Sequence, residues 1–175
     1  MRLIVISALL VLVAQPAAAQ SQDVALGLRA GVVELGDFEA ETTVETDLSP
    51  SLGGFVDFGF GPLAAGLYAD VHGLTGDFEG REYMVDAGGT LKARLGSSGT
   101  RPHLRPGIGV GYAIADIGAG ATFLSTRGTI EVVIPQAGGF SWLFEGGAYW
   151  APMGDASDVD VEFGPGLLLR AGVQF

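Results

Sequence analysis

His72 and His103 are the only imidazoles in a chain that contains no cysteine. Thiolate metal sites and Cys–His nucleophile pairs are therefore excluded at once. His72 follows Asp70 by two residues, and Asp77 lies a little further on. A histidine beside a carboxylate is half of an acid–base or nucleophilic site. No serine is placed as an obvious nucleophile, so His72 reads as a histidine at the mouth of an enclosed space, bonded to a neighbouring acid. The stretch GDASDVDVE (154–162) carries Asp155, Asp158, Asp160 and Glu162, hard oxygen ligands of the type calcium takes. It lacks the glycine and spacing of an EF-hand. These four carboxylates are candidate contacts for a divalent cation in an otherwise solvated acidic loop. Gly107-Ile-Gly-Val-Gly111 has no strand–turn–helix context and is not read as a nucleotide loop. No catalytic residue, resident metal or cofactor is expected.

The elements that would position these groups are constrained by composition. Of 175 residues, 29 are glycine, 48% are hydrophobic and 17% charged, with a net charge of −11. So much glycine argues against long helices, and so much apolar content against disorder. The acidic balance excludes a nucleic-acid binder, which needs clustered Lys and Arg. Residues 1–19 read as a signal peptide: Arg2, an apolar run from Leu3 to Val13, then Ala17-Ala18-Ala19 before Gln20. The remaining 20–175 form one domain.

That domain alternates with period two. Eight strands are expected, at 23–34, 51–60, 63–72, 82–95, 102–115, 123–134, 139–150 and 163–175. They contain 14 charged residues, of which 13 fall on the less apolar phase and only Glu34 does not. The polar phase is largely glycine between isolated charges: Arg29, Asp57, Asp70, Asp86, Lys92, Arg94, Arg105, Arg127, Glu131, Glu145 and Arg170, with Asp23 and Glu82. A solvated face would be dense in Lys, Glu, Thr and Ser, and glycine weakens a strand there. Inside a narrow barrel, glycine makes room for long side chains opposite. Seven acids against six bases on this phase nearly cancel, as a water-poor interior requires. The apolar phase, with Trp142, Phe144, Trp150, Tyr83, Tyr112, Phe163 and Phe175, then faces lipid. The expected architecture is an all-β, eight-stranded, antiparallel up-and-down transmembrane barrel, in which every backbone hydrogen bond is satisfied. A soluble lipocalin-like carrier would invert the phases, and the glycine-rich polar phase counts against it.

Connections between these strands alternate long and short, and the four long ones hold 12 of the 20 acids. An even strand number puts both termini on the short-turn side. His72 then belongs to the long-loop rim and His103 to the turn rim, too far apart to share a site. Eight strands leave an interior just wide enough for side chains to fill, so the inward charges read as an interlocked plug. A narrow ion or solute channel is the competing reading, and a barrel enzyme working through His72 a weaker one.

At this point the chain resembles the small eight-stranded bacterial outer-membrane barrels of the OmpA transmembrane-domain and OmpX type. The resemblance covers residues 23–175 and is strongest in the last strand, where Leu169, Ala171 and Val173 lead by twos to a terminal Phe175. In that family such an ending is a signal to the barrel-assembly machinery. The segment RPHLRPGIGVGYAIAD (101–116) also resembles a recurrent strand of the family. The resemblance implies residence in the outer membrane, contact with its lipid, and insertion by the assembly machinery. It implies no single activity. A non-enzymatic structural or surface-interaction role is expected, with an extracellular partner or divalent cations as candidates for the acidic loops.

Overall fold

The computed structural model describes residues 24–40, 43–76, 82–96, 101–117, 120–156 and 159–175. The expected signal peptide, Asp23, Asp77 and Asp158 lie outside these. The strands are β1 (Val24–Glu34), β2 (Phe38–Glu39), β3 (Thr43–Val44), β4 (Ser49–Phe60), β5 (Leu63–Leu74), β6 (Glu82–Ala93), β7 (His103–Ala115), β8 (Ala121–Pro135), β9 (Ser141–Ala156) and β10 (Val159–Gln174). Eight long strands form the wall. Each pairs antiparallel with its neighbours, and β1 closes the circle on β10, from Gly27 opposite Gln174 to Glu34 opposite Leu167. The architecture is thus a closed, all-β, eight-stranded antiparallel barrel. No helix among the described residues is long and apolar enough to cross a membrane; in such a barrel, strands would make the crossing.

Two boundaries differ from the sequence expectation. The connection 35–50 carries the short hairpin β2–β3, which pairs onto β10 with Phe38 opposite Phe163. The expected loop 151–162 is mostly strand, because β9 continues to Ala156, still paired with β8 as far as Asp155 opposite Thr122, and β10 starts at Val159. Asp155, Asp160 and Glu162 therefore lie on strands.

Burial follows the two-residue period along the wall. Outward residues form an apolar belt whose middle holds Leu67, Ile108, Val110, Ile130 and Leu169, with Ile108 67% exposed. Aromatic side chains border it at both heights. Tyr83, Tyr112 and Trp150 lie toward the long-loop rim, and Phe58, Phe60, Trp142, Phe144 and Phe175 toward the turn rim. That is a lipid-facing band between two interfacial girdles.

Phe163 departs from this outward pattern. It is fully buried and faces inward. The β9–β10 register shifts twice: between Val161 and Phe163 the extra residue is on β9, and between Phe163 and Gly166 it is on β10, where it exchanges the inward phase from Val161 and Phe163 to Leu168 and Arg170. Pro152 and Pro165 stand in these irregular stretches. A residue without an N–H is tolerated at a bulge.

Candidate functional site

The inward phase of the barrel is the candidate site, and it is built in three tiers. Nearest the turn rim, Asp57 (β4), Lys92 (β6), Arg105 (β7) and Glu131 (β8) form a ring. Lys92 Nζ lies 2.9 Å from Asp57 Oδ2 and 2.8 Å from Glu131 Oε1. Arg105 lies 3.3 Å from Asp57 Oδ2 and 2.7 Å from Glu131 Oε2. It also donates to Gln174 Oε1 on β10 at 2.7 Å.

The middle tier joins Arg29 (β1), Asp70 (β5), Asp86 (β6), Arg127 (β8), Glu145 (β9) and Arg170 (β10). Asp70 is its hub: Oδ2 accepts hydrogen bonds from Arg29 at 3.1 Å and Arg127 at 2.6 Å, and Arg170 Nη1 lies 2.9 Å away as an ion pair. Glu145 takes Arg29 at 3.0 Å and Arg170 at 2.8 Å. Asp86 is bound by Arg127, by the Ser125 hydroxyl at 2.7 Å and by the Tyr68 hydroxyl at 3.4 Å.

Two cations face two carboxylates in the first tier and three face three in the second, so each is neutral by itself. All ten residues are buried. In the middle tier the guanidinium groups answer both the charge and the lone pairs of Asp70 and Glu145, whereas the first-tier carboxylates are held mainly by charge. Phe55 separates the tiers, with Lys92 Nζ 4.5 Å and the Arg29 guanidinium 5.4 Å from its ring centroid. Arg127 stacks on Tyr68 at 3.6 Å. Both contacts are cation–π geometry.

Glycine fits this interior at defined points. A Cβ on Gly53 would run into the Asp70 carboxylate, and one on Gly66 into Asp57 Oδ1 and, at 2.8 Å, Thr90 Oγ1. One on Gly111 would meet the Tyr68 hydroxyl and, at 2.7 Å, Asp86 Oδ1. These three glycines leave the volume that the charged side chains occupy.

The third tier, at the long-loop rim, is apolar: Val33, Leu35, Leu74, Met84, Phe123, Tyr149, Val161, Phe163 and Leu168 pack together, with Phe38 leaning on them. Phe123 and Phe163 are 5.0 Å apart, and Phe38 and Phe163 5.2 Å. The sequence reading took the inside to be largely glycine and isolated charges and missed this stopper. Its signal was present, since Phe123 shares the phase of Arg127 and Glu131, and Met84 that of Asp86.

Two expected residues take different places. Arg94 lies just past the end of β6, half-buried, and donates to the Gly61 carbonyl at 2.7 Å instead of joining either tier. His72 is not at a mouth bonded to an acid. It is buried beneath the apolar stopper, both ring nitrogens lack hydrogen-bond partners, and its ring meets Tyr149 edge-on at 5.8 Å. Ligand atoms of Asp70, His72 and Asp86 lie within 4.8 Å of one another. The two carboxylates already serve Arg29, Arg127 and Arg170, so a dication there would confront three guanidiniums.

At the far end of the β9–β10 hairpin, Asp155 pairs with Asp160 across the strands, and Glu162 with Glu39. Like charges directly opposite are destabilising in a ladder. Leu169, Ala171 and Phe175 are exposed on the outer face, and Val173 is half-exposed between them.

A closed eight-stranded barrel with an outward apolar belt, two aromatic girdles and a charge-paired interior has the fold of the small bacterial outer-membrane barrels. Solved structures of that class match it along most of their length. Neisserial surface protein A aligns with a TM-score of 0.62 at 11% identity, over 86% of this chain and 95% of the other. The outer membrane protein OprG from Pseudomonas aeruginosa aligns with a TM-score of 0.54 at 15% identity, over 86% and 95%. Ail, the attachment invasion locus protein of Yersinia pestis, gives 0.50 at 12% identity, over 88% and 100%. No sequence-family model matches the chain, and no curated protein matches it in sequence.

Proposed function

We propose that the protein is an integral outer-membrane barrel without enzymatic activity, structural in its lumen and interactive at its acidic rim. The observation that carries this reading is the neutrality and burial of both charge tiers, capped by an apolar third tier. A permeation path needs unpaired polar groups and water. Here cations and carboxylates consume one another and Phe123 and Phe163 stand above them. The apolar belt supports residence in lipid, and the exposed alternation to Phe175 supports recognition by the assembly machinery.

In this reading the long-loop rim faces outward from the cell. Asp155 opposite Asp160 and Glu162 opposite Glu39 favour divalent cations or a cationic surface partner, which would relieve the repulsion. Planar-bilayer recording of the folded protein tests the closed lumen. The expected record has no discrete conductance steps under applied voltage. Reproducible unitary steps, abolished when an inward tier residue is enlarged, would establish the narrow channel instead.

A further inference from the structure

Between the middle charge tier and the apolar stopper lie buried polar groups that the ion pairs leave unanswered. His72 is 1% exposed, and neither ring nitrogen has a hydrogen-bond partner among the described residues. Ser51, directly opposite it on β4, is also buried with an unpartnered hydroxyl. An imidazole always carries at least one N–H donor, and a buried donor almost always has an acceptor. Two residues back along β5, Asp70 stands directly opposite Asp86 of β6, a like-charged pair that a ladder disfavours. Arg127 spans the pair through Oδ2 of each, yet both carboxylates can still accept. Asp86 has three donors, Arg127, Ser125 and Tyr68, for about four lone-pair sites. Asp70 Oδ1 takes Arg29 at 3.2 and 3.3 Å, at the long end of the N–H···O range. One ligand atom each from Asp70, His72 and Asp86 lie within 4.8 Å of one another. A point central to three such atoms is no more than about 2.8 Å from any of them, the O–H···O distance. The surrounding charge selects what can sit there. A cation would face the guanidiniums of Arg29, Arg127 and Arg170, and an anion would face Asp70 and Asp86. The occupant that fits is therefore neutral, small, and able to donate to two carboxylates while accepting from one imidazole N–H. Water has that valence, and buried waters typically make about three hydrogen bonds.

We propose that Asp70, His72 and Asp86 bind one buried water, which donates to the two carboxylates and accepts from the His72 ring. The plug then holds a solvent molecule sealed below Phe123 and Phe163 and above the charge tiers. Its exchange with bulk solvent waits on opening of the stopper or the tiers. The site does not depend on what the barrel does at its rim, and its test reads the water itself.

The full barrel, folded in detergent, is measured by oxygen-17 relaxation dispersion of the solvent, which counts waters held longer than the particle takes to tumble. His72→Phe keeps a ring of similar shape and removes both nitrogens. It should lose one long-lived water per barrel relative to the wild type, while His103→Phe, at the turn rim, should leave the count unchanged. Unchanged heat-dependent gel mobility confirms that each variant is folded. If His72→Phe does not fold, the wild type decides. With nitrogen-15-labelled histidine, the buried His72 ring N–H should show a cross-relaxation peak to water, opposite in sign to an exchange peak. An equal water count in wild type and His72→Phe, or absence of that peak, overturns the proposal. So does stoichiometric zinc binding that His72→Phe abolishes, since the three groups would then hold a metal and not a water.

Discussion

Asp70→Asn is the sharpest perturbation of the barrel interior. The substitution keeps the size of the side chain and removes one charge. In the wild type, Asp70 Oδ2 lies 3.1, 2.6 and 2.9 Å from Arg29, Arg127 and Arg170. The variant leaves three guanidiniums facing only Asp86 and Glu145, so a neutral tier acquires one uncompensated charge at full burial. An asparagine also presents an NH₂ group to donors that need acceptors. Breaking a buried ion pair by removing one partner costs about 3–5 kcal/mol, or two to four powers of ten in the folding equilibrium at about 1.4 kcal/mol per decade. With a urea slope of about 2 kcal/mol/M, the unfolding midpoint should fall by roughly 1.5–2.5 M. The assay is urea unfolding in lipid vesicles, read by tryptophan fluorescence and by gel mobility without heating. Arg94→Gln provides the contrast. Its exposed bond to Gly61 should cost no more than about 1 kcal/mol, as for other surface contacts. Asp70→Asn combined with Arg170→Gln restores neutrality and should recover part of the loss. The reasoning is refuted if Asp70→Asn shifts the midpoint no more than Arg94→Gln, or if the double variant is worse than the sum of its parts.

Glycine and the last strand give two further tests. Gly53→Ala drives a methyl into the Asp70 carboxylate and should cost about 1–3 kcal/mol as overpacking. Gly128→Ala, with nothing within 4 Å of its new carbon, should be neutral or stabilising by about 0.5–1 kcal/mol; the same unfolding curves read both. Phe175→Ala should slow appearance of the folded band in outer membranes of cells while barely moving the urea midpoint. A midpoint shift as large as that of Gly53→Ala would make Phe175 a packing residue and not an assembly signal.

Much of the wall was legible because a barrel strand writes its environment every second residue. Arg127 and Glu131 on one phase of β8, with Ile130 on the other, require one face for charge and one for lipid. The pairing inside a tier was less legible. Strands distant in sequence meet across the lumen, as Arg29 meets Glu145, and no local spacing records that approach. Phe163 was misplaced because period-two counting assumes an unbroken ladder, and the irregular stretches around Pro152 and Pro165 break it. Their prolines were the visible sign. The long-loop end misled for a different reason. Asp155, Asp160 and Glu162 have the composition of a solvated loop, yet β9 and β10 carry them as paired strand, with Asp155 opposite both Asp160 and Thr122 of β8. His72 was read from its neighbour in sequence, Asp70, whose oxygens are committed to three arginines from β1, β8 and β10.

The central claim is that the apolar phase faces lipid and the charged phase faces inward. The chain has no cysteine, so single-cysteine nitroxide labels can be walked along β7 from Ile108 to Ile114 in the reconstituted protein. The account predicts high oxygen accessibility and little collision with a water-soluble nickel reagent at the outward Ile108, Val110, Tyr112 and Ile114; Gly109 and Gly111 stay unlabelled, because a side chain there meets Arg127, Tyr68 and Asp86. Nickel accessibility peaking at Val110 and Tyr112 would put that face in water and contradict the account.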